Sequence, residues 1–286
     1  MSQDGSASRT IERAAAVLKA VGMLRRGPTG GARLTDVAEA VGLTKSTTHR
    51  ILNSLVQVGF VEQSGERGSF HLALGIYALG AAAAHRFQLS DFAHPAMLRL
   101  AERTGDTVYL LIRTGLESVC VERQEGAFPI KTLTLDVGPA GPLGLGAGNI
   151  AMLAFLPDED VDHAIEASES SLAHYPDVDA TVLLDLVRTT RQQGYAYIEE
   201  LFIPGMTGIG VPILGLDGVP VAALSVAAIT NRMQGDRRAN TAAWLVAEAR
   251  NLETRLGEIT GGLTEGGLRK LAVTRRSGTV GQAPGA

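Results

Sequence analysis

The stretch LTDVAEAVGLTKSTTHRILNSLVQVGF, from Leu34 to Phe60, leaves the chain few choices of fold. Leu34, Val37, Ala38 and Val41 recur at helical spacing, Gly42 interrupts, and a second helix opens at Thr44 with Ile51, Leu52, Leu55 and Val58 on one side. Two short helices joined through a glycine turn make a helix-turn-helix. With Thr44 as N-cap and the apolar stripe inward, Lys45, Ser46, Thr47, His49, Arg50 and Asn53 stay on the outer face, most of them in the first two turns. Arg and Lys pair with phosphate or guanine, Asn bridges adenine, and hydroxyls contact either, so this face is a candidate DNA-reading surface. The competing reading is a three-helix packing unit whose polar face is merely solvated.

The flanks favour the first reading. Residues 1–9 are small and polar and read as a flexible arm. From Thr10 a first helix has Ile11, Ala14, Val17, Leu18 and Val21 on one face and ends before Gly27-Pro28. After the second helix of the motif, FVEQSGERGSFHLA reads as a hairpin around Ser64 to Gly68 with Arg67 at its tip. A hairpin in that place is the wing of a winged helix, set to touch the adjacent DNA backbone or minor groove. Charge is distributed in the same sense. Residues 1–80 carry nine Lys/Arg against six Asp/Glu, a balance of +3, while the remainder is -7 within a total of -4. Because phosphate contact dominates affinity for DNA, a basic head on an acidic body suits a DNA-binding module joined to one with another task.

A chain of 286 residues exceeds one typical domain. The reading is a winged helix-turn-helix over 10–73, a linker helix over 74–90 that either transmits motion or only spaces the parts, a second domain over 91–262, and a disordered tail over 263–286. In the second domain TVYLLIR, SVCVERQ and IKTLTLDVG are strand-like, then a glycine and proline loop leads into the helix IAMLAFL. Helices over 158–169 and 182–193 follow, then strands YAYIEE, GIGVPILGL and VPVAALSVAAI, with Asp217-Gly218 as a hairpin turn. A closing helix carries Ala242, Leu245, Val246, Ala249, Leu252 and Leu256 at three and four spacing. Strands, then helices, then strands again predict an α+β domain with a largely antiparallel sheet.

Chemistry is sparse. The single cysteine, Cys120, excludes an internal disulfide and reads as an inward strand residue. No Cys/His cluster has zinc spacing, and no metal or cofactor is expected. Gly144-Leu145-Gly146-Ala147-Gly148-Asn149 nearly matches a dinucleotide fingerprint, but Asn149 stands where the last glycine belongs and no buried strand runs into the turn. What the loop does supply is backbone N–H groups at a helix start, a natural place for an anion. No nucleophile elbow occurs, His85, His94, His163 and His174 read as surface or capping residues, and Glu199-Glu200 as a solvated pair more than an acid and base. No catalytic residue is assigned. No apolar run reaches the ~18 residues of a membrane helix, and the start lacks a signal-peptide pattern, so the cytoplasm is the expected location.

Taken together, RAAAVLKAV, the helix-turn-helix stretch, HLALGIYALG, SVCVERQ, VGPAGPLGLGAGNIAMLAFL, RQQGYAYIEELFIPGMTGIGVPIL and VPVAALSVAAI resemble the IclR family of transcriptional regulators, in that order from Thr10 to Ile259. The resemblance implies a winged helix-turn-helix head, a GAF-like effector-binding body, and a homodimer or a dimer of dimers on double-stranded operator DNA. It implies that Ser46, Thr47, His49 and Arg50 face DNA. It places the effector pocket at Leu143, Leu145, Gly146, Ala147 and Met152, with the later strands around Gly208 and Ser225. Ile198 stands where an acidic residue can occur in the family, Gly208 replaces a cysteine, and Ala227 replaces a second serine. These departures remove hydrogen-bonding groups and leave room, so the expected effector is a bulkier or less polar small organic acid, aromatic acids included. Three alternatives stay open: a ligand sensor acting through protein partners, an enzyme with an accessory helix-turn-helix, and a structural DNA binder without a pocket.

Overall fold

The computed structural model describes residues 4–24, 30–64, 68–87 and 89–260, and the chain divides into two units, Met1–Gln88 and Leu89–Ala286. The expected wing tip Arg67 and the expected tail over 263–286 lie outside the described residues.

In the first unit, helix α1 (Asp4–Met23) precedes α2 (Leu34–Ala40) and α3 (Lys45–Gln57), and strands β1 (Val61–Ser64) and β2 (Ser69–Leu72) pair antiparallel before helix α4 (Leu74–Phe87). Helix α1 thus starts within the stretch read as an arm. Gly42, at φ 62°, makes the turn between α2 and α3, a left-handed conformation that glycine adopts without penalty. Val17, Val21, Ala32, Val37, Leu52, Leu55, Val61 and Phe70 form the core. Ala32 exchanges both backbone hydrogen bonds with Phe70 at 2.9 Å and so adds a third edge to the hairpin, which gives the motif its wing.

Two residues expected inside are outside. Ile11 is 71% exposed because the core touches α1 only from Val17 onward, and Val58 is 61% exposed because it ends the helix as C-cap, at φ -90° and ψ 3°, where the helical stripe no longer aims its side chain.

The second unit opens with helix α5 (Leu89–Thr104), two residues ahead of the expected boundary. Strands β3 (Thr107–Thr114), β4 (Glu117–Gln124), β5 (Ala140–Pro142), β6 (Ala196–Glu199), β7 (Met206–Leu214) and β8 (Pro220–Ile229) form one antiparallel sheet in the order β5-β4-β3-β8-β7-β6. Helices α6 (Ala147–Ala154), α7 (Asp158–Leu172) and α8 (Ala180–Gln193) contribute to one core, and α5 with α9 (Gly235–Thr260) to the other. Alternation along the strands separates the two. Tyr109, Leu111 and Ala223 belong to the first core, whereas Val108, Leu110, Ile209, Val211, Leu224 and Val226 belong to the second. With both faces covered, central strands read as almost continuous apolar runs.

The segment IKTLTLDVG is not a strand. Between Phe128 and Gly138 no main-chain group makes a backbone–backbone hydrogen bond among the described residues, so its β-rich composition is spent on side-chain contacts and not on a ladder.

Candidate functional site

The outer face of α3 is assembled around its cap. Thr44 accepts from the Thr47 N–H at 3.3 Å, and its hydroxyl lies 3.0 Å from that of Thr47 and 3.2 Å from that of Ser46. Thr48, Leu52 and Leu55 are buried. The 100° step per residue then points Ser46, Arg50, Asn53 and Gln57 directly away from the core, with Lys45 and His49 along one flank; all six are exposed. Thr47 is half-buried on the opposite flank. Gln57, four residues from Asn53 and seven from Arg50, extends this outward row beyond the residues expected from the sequence. This row could follow a groove of nucleic acid.

The second unit contains a cavity of about 170 Å³ between the start of α6 and the sheet. Its wall includes Tyr109 and Leu111 from β3, Leu145 to Asn149 from the loop and α6, Ile198 from β6, Gly208 from β7 and Ser225 from β8. Thr134, Leu135, Tyr175, Phe202, Ile203 and Met206 close it. Of the residues expected there, Leu145, Gly146, Ala147, Gly208 and Ser225 line it, but Leu143 and Met152 do not. Both are fully buried in the adjoining core. Met152 lies five residues beyond Ala147, about 140° further round the helix, and turns its side chain from the cavity.

Glycines set the approach of α6 to the sheet. A Cβ on Gly210 would stand 2.3 Å from the Ala147 carbonyl oxygen and 2.6 Å from the Gly148 nitrogen, so β7 can carry nothing larger there. The side chain absent from Gly208 does not leave the free room its replacement of a bulkier residue suggested: a Cβ there would meet the Ala147 methyl at 3.0 Å.

Polar groups in the wall are few and uncharged. Among the described residues no Lys, Arg, His, Asp or Glu lines the cavity. The N–H groups of Ala147, Gly148 and Asn149 begin α6 and have no backbone partner among the described residues, the first helical backbone bond to Gly146 being made by Ile150 at 2.9 Å. Ser225, 6% exposed, turns its side chain to the cavity beside Gly148, and its hydroxyl has no hydrogen-bond partner among the described residues. The Tyr109 hydroxyl donates to the Thr132 carbonyl and accepts from the Thr134 N–H at 3.0 Å. Burial pushes its phenol up, which keeps it a donor.

Asn149 explains why the last position of the glycine loop is not glycine. Its Oδ1 accepts from Ser118 at 2.5 Å, and its Nδ2 donates to the carbonyls of Leu145 at 2.7 Å and Pro142 at 3.2 Å. Both loop carbonyls are thereby drawn onto a buried amide. Cys120 is buried in the neighbouring core, outside the cavity wall, and burial pushes its thiol up to about 11. No group of three His, Cys, Asp or Glu among the described residues is arranged to hold a metal ion.

A model of the IclR helix-turn-helix domain matches residues 10–65, and a model of the bacterial transcriptional regulator IclR C-terminal domain matches residues 81–254. The chain is similar to the HTH-type transcriptional repressor AllR of Salmonella paratyphi A, 28% identical over 251 residues that cover 87% of this chain and 90% of the relative. AllR of Escherichia coli K12 is 29% identical over 232 residues, 80% of this chain and 84% of the relative. Two solved structures share the fold. An IclR transcriptional regulator from Alicyclobacillus acidocaldarius gives a TM-score of 0.73 at 23% identity, over 87% of this chain and 99% of that one. An IclR homologue from Microbacterium hydrocarbonoxydans, complexed with 4-hydroxybenzoate, gives 0.68 at 22% identity over the same shares.

Proposed function

This chain belongs to the IclR family of bacterial transcriptional regulators, and from that premise we propose that its hold on operator DNA is governed by a small aromatic carboxylic acid bound at the start of α6. As a member of the family it is a DNA-binding transcriptional regulator with a C-terminal ligand-binding domain.

Ser46, Arg50, Asn53 and Gln57 are the base-reading row, and Lys45, Thr47 and His49 flank it on the phosphates, with Arg67 of the wing as a further backbone contact. The exposure of Lys45, Ser46, His49 and Arg50 at the capped N-terminal half of α3 supports this assignment, since that end of a recognition helix meets the groove.

One observation carries the effector: an uncharged cavity that opens on unpartnered N–H groups and an unpartnered hydroxyl. The carboxylate sits against the N–H groups of Ala147 to Asn149 and the Ser225 hydroxyl. A helix start stabilises an anion by only about 0.3–2 kcal/mol, too little by itself to hold a compact polar acid out of water. An aromatic body burying roughly 150 Å² against Leu111, Leu135, Ile198 and Phe202 adds on the order of 4 kcal/mol. The apolar surface therefore selects the ligand, and the N–H groups orient it. That the Microbacterium homologue was crystallised with 4-hydroxybenzoate supports an acid of this size and kind.

Binding of acid and of operator are linked, so each shifts the affinity for the other by the same factor. A homodimer, or a pair of them, presents two heads to half-sites one helical turn or a multiple apart, about 34 Å. Leu74 and Tyr77, 77% and 74% exposed on α4, support a self-association surface in the first unit. We assign the chain no catalytic role. No helix among the described residues is long and apolar enough to cross a membrane, and an operator target supports a cytoplasmic location.

The test is thermal shift with benzoate-class acids alongside glyoxylate and pyruvate, followed by electrophoretic mobility of the upstream DNA with and without each acid. Stabilisation by an aromatic acid together with a change in DNA affinity is expected. Stabilisation by glyoxylate or pyruvate alone would overturn the ligand class.

A further inference from the structure

The wall of the cavity formed by residues 129–137 is held in an unusual way. These residues form no helix or strand, and no backbone–backbone hydrogen bond fastens them among the described residues. Outward, Ile130, Leu133 and Val137 are exposed apolar side chains. Inward, Thr134 and Leu135 face the cavity. The other closing segment is different: Met206 is tied to Glu200 at 2.8 Å and to Ile203 at 3.1 Å, Gly205 to Thr230 at 2.9 Å, and the Phe202 ring stands edge-on to Tyr175 at 5.4 Å.

What fixes the 129–137 strap is side chains, and chiefly one. The Tyr109 hydroxyl, carried on the central strand β3 by a side chain 1% exposed, donates to the Thr132 carbonyl and accepts from the Thr134 N–H at 3.0 Å and the Thr134 hydroxyl at 3.4 Å. A second pin is the Thr132 hydroxyl, which donates to the Ala227 carbonyl on β8 at 2.5 Å. Beyond these lie Lys131 on the Gly126 carbonyl, a long contact from Arg123 to the Leu135 carbonyl at 3.4 Å, and the Arg123–Asp136 pair at 4.0 Å. With its proton and its lone pairs engaged by the strap, the phenol has little left for a ligand.

We propose that residues 129–137 are the gate of the cavity and that Tyr109 is a positioning residue, a latch that sets how often the gate opens and not a group that binds the effector. A segment without ladder bonds opens locally at a cost set by the few side-chain bonds that hold it. Removing the phenol oxygen lets the strap lift while the sheet beneath, whose register does not involve that oxygen, stays paired. Opening of this kind sets the rate at which a ligand enters and leaves a closed site. That the traffic is an aromatic acid rests on the effector reading under Proposed function; the latch does not.

The test needs no effector, so it stands or falls apart from the ligand class. Ser225 lies in the cavity wall, and S225C puts a thiol there. The native Cys120 carbonyl accepts from the Gly138 N–H at the end of the strap at 2.9 Å, so its thiol is removed by C120A and global opening is read from the urea dependence instead. In the full chain carrying C120A and S225C, labelling by 4,4′-dithiodipyridine is followed with and without Y109F over a range of urea well below the unfolding midpoint. The expected result is labelling of the introduced thiol about tenfold faster with Y109F, the scale of the hydrogen bonds lost in the opening equilibrium, with little dependence on urea, since a local opening exposes little surface. T132V, which removes the second pin, accelerates it in the same direction and carries the test if Y109F does not fold. An unchanged rate at the introduced thiol, or a rate that rises with urea as steeply as global unfolding does, overturns the proposal.

Discussion

Ser118 on β4 donates its hydroxyl proton to Oδ1 of Asn149 across 2.5 Å, joining the sheet to the first turn of a helix 31 residues later in the chain. Asn149 in turn donates to the Leu145 and Pro142 carbonyls, so one buried amide decides which way the loop's peptide groups face. With those carbonyls held on Nδ2, the N–H groups at the start of α6 are left for a ligand.

N149A should leave a buried hydroxyl and two carbonyls without their partner, at a cost of about 1–3 kcal/mol, or roughly 2–12 °C in the unfolding midpoint of a domain this size. N149D should cost at least as much, since a carboxylate cannot donate to either carbonyl. Both variants should also weaken the effector more than S225A does, because they release the whole loop. Calorimetric titration with the stabilising acid measures this, and an N149A protein of wild-type affinity would remove Asn149 from the site.

On α3 the roles divide by position. R50A and N53A, in the outward row, should each cost about 1–3 kcal/mol at the operator and relax the base preference at one position, while K45A on the flank should weaken all sequences alike and lower the salt slope by about one. Fluorescence anisotropy on operator and scrambled DNA across a salt series separates the two patterns. Equal losses on both DNAs for R50A would move Arg50 from the bases to the phosphates.

Arg99 on α5 and the buried Glu248 on α9 form a two-pronged pair, with Nε–Oε1 at 2.8 Å and Nη2–Oε2 at 2.6 Å. The hydrogen bonds from Arg99 hold the Glu248 carboxyl below its ordinary value against the opposing effect of burial. A carboxyl whose folded value lies below its unfolded value, about 4.3, contributes stability fully above that pH and loses it as pH falls through the folded value. Urea midpoints of the wild type and E248Q should therefore differ at pH 7 and converge below about pH 4. A gap that persists unchanged in acid would show that the pair's ionisation contributes nothing.

Local pattern was enough for the head. The spacing of Val37, Ala38, Leu52 and Leu55, the Thr44 cap and Gly42 act over one or two turns, and a helix carries its faces with it, so Arg50 and Asn53 could be placed outward from the sequence. The same reasoning overreached where a helix outruns its partners, at Ile11, and where it ends, at Val58.

The effector site was legible only in its contiguous part. Leu145, Gly146 and Ala147 are neighbours in the chain, and the glycine loop announced them. Tyr109, Thr134, Tyr175 and Phe202 meet across four distant segments, brought together by strand pairing and helix packing that no short-range pattern encodes. Nor could periodicity show that IKTLTLDVG, with a strand's composition, would be denied a strand's neighbours and hung on a phenol and a threonine hydroxyl. Sequence by itself settled the family, the two modules and the outward face of α3, because those depend on residues close in the chain. The shape of the cavity, its lack of charge and the strap that closes it were decided by tertiary structure, because hydrogen bonds such as Tyr109 to Thr132 and Ser118 to Asn149 exist only once the sheet has aligned their partners.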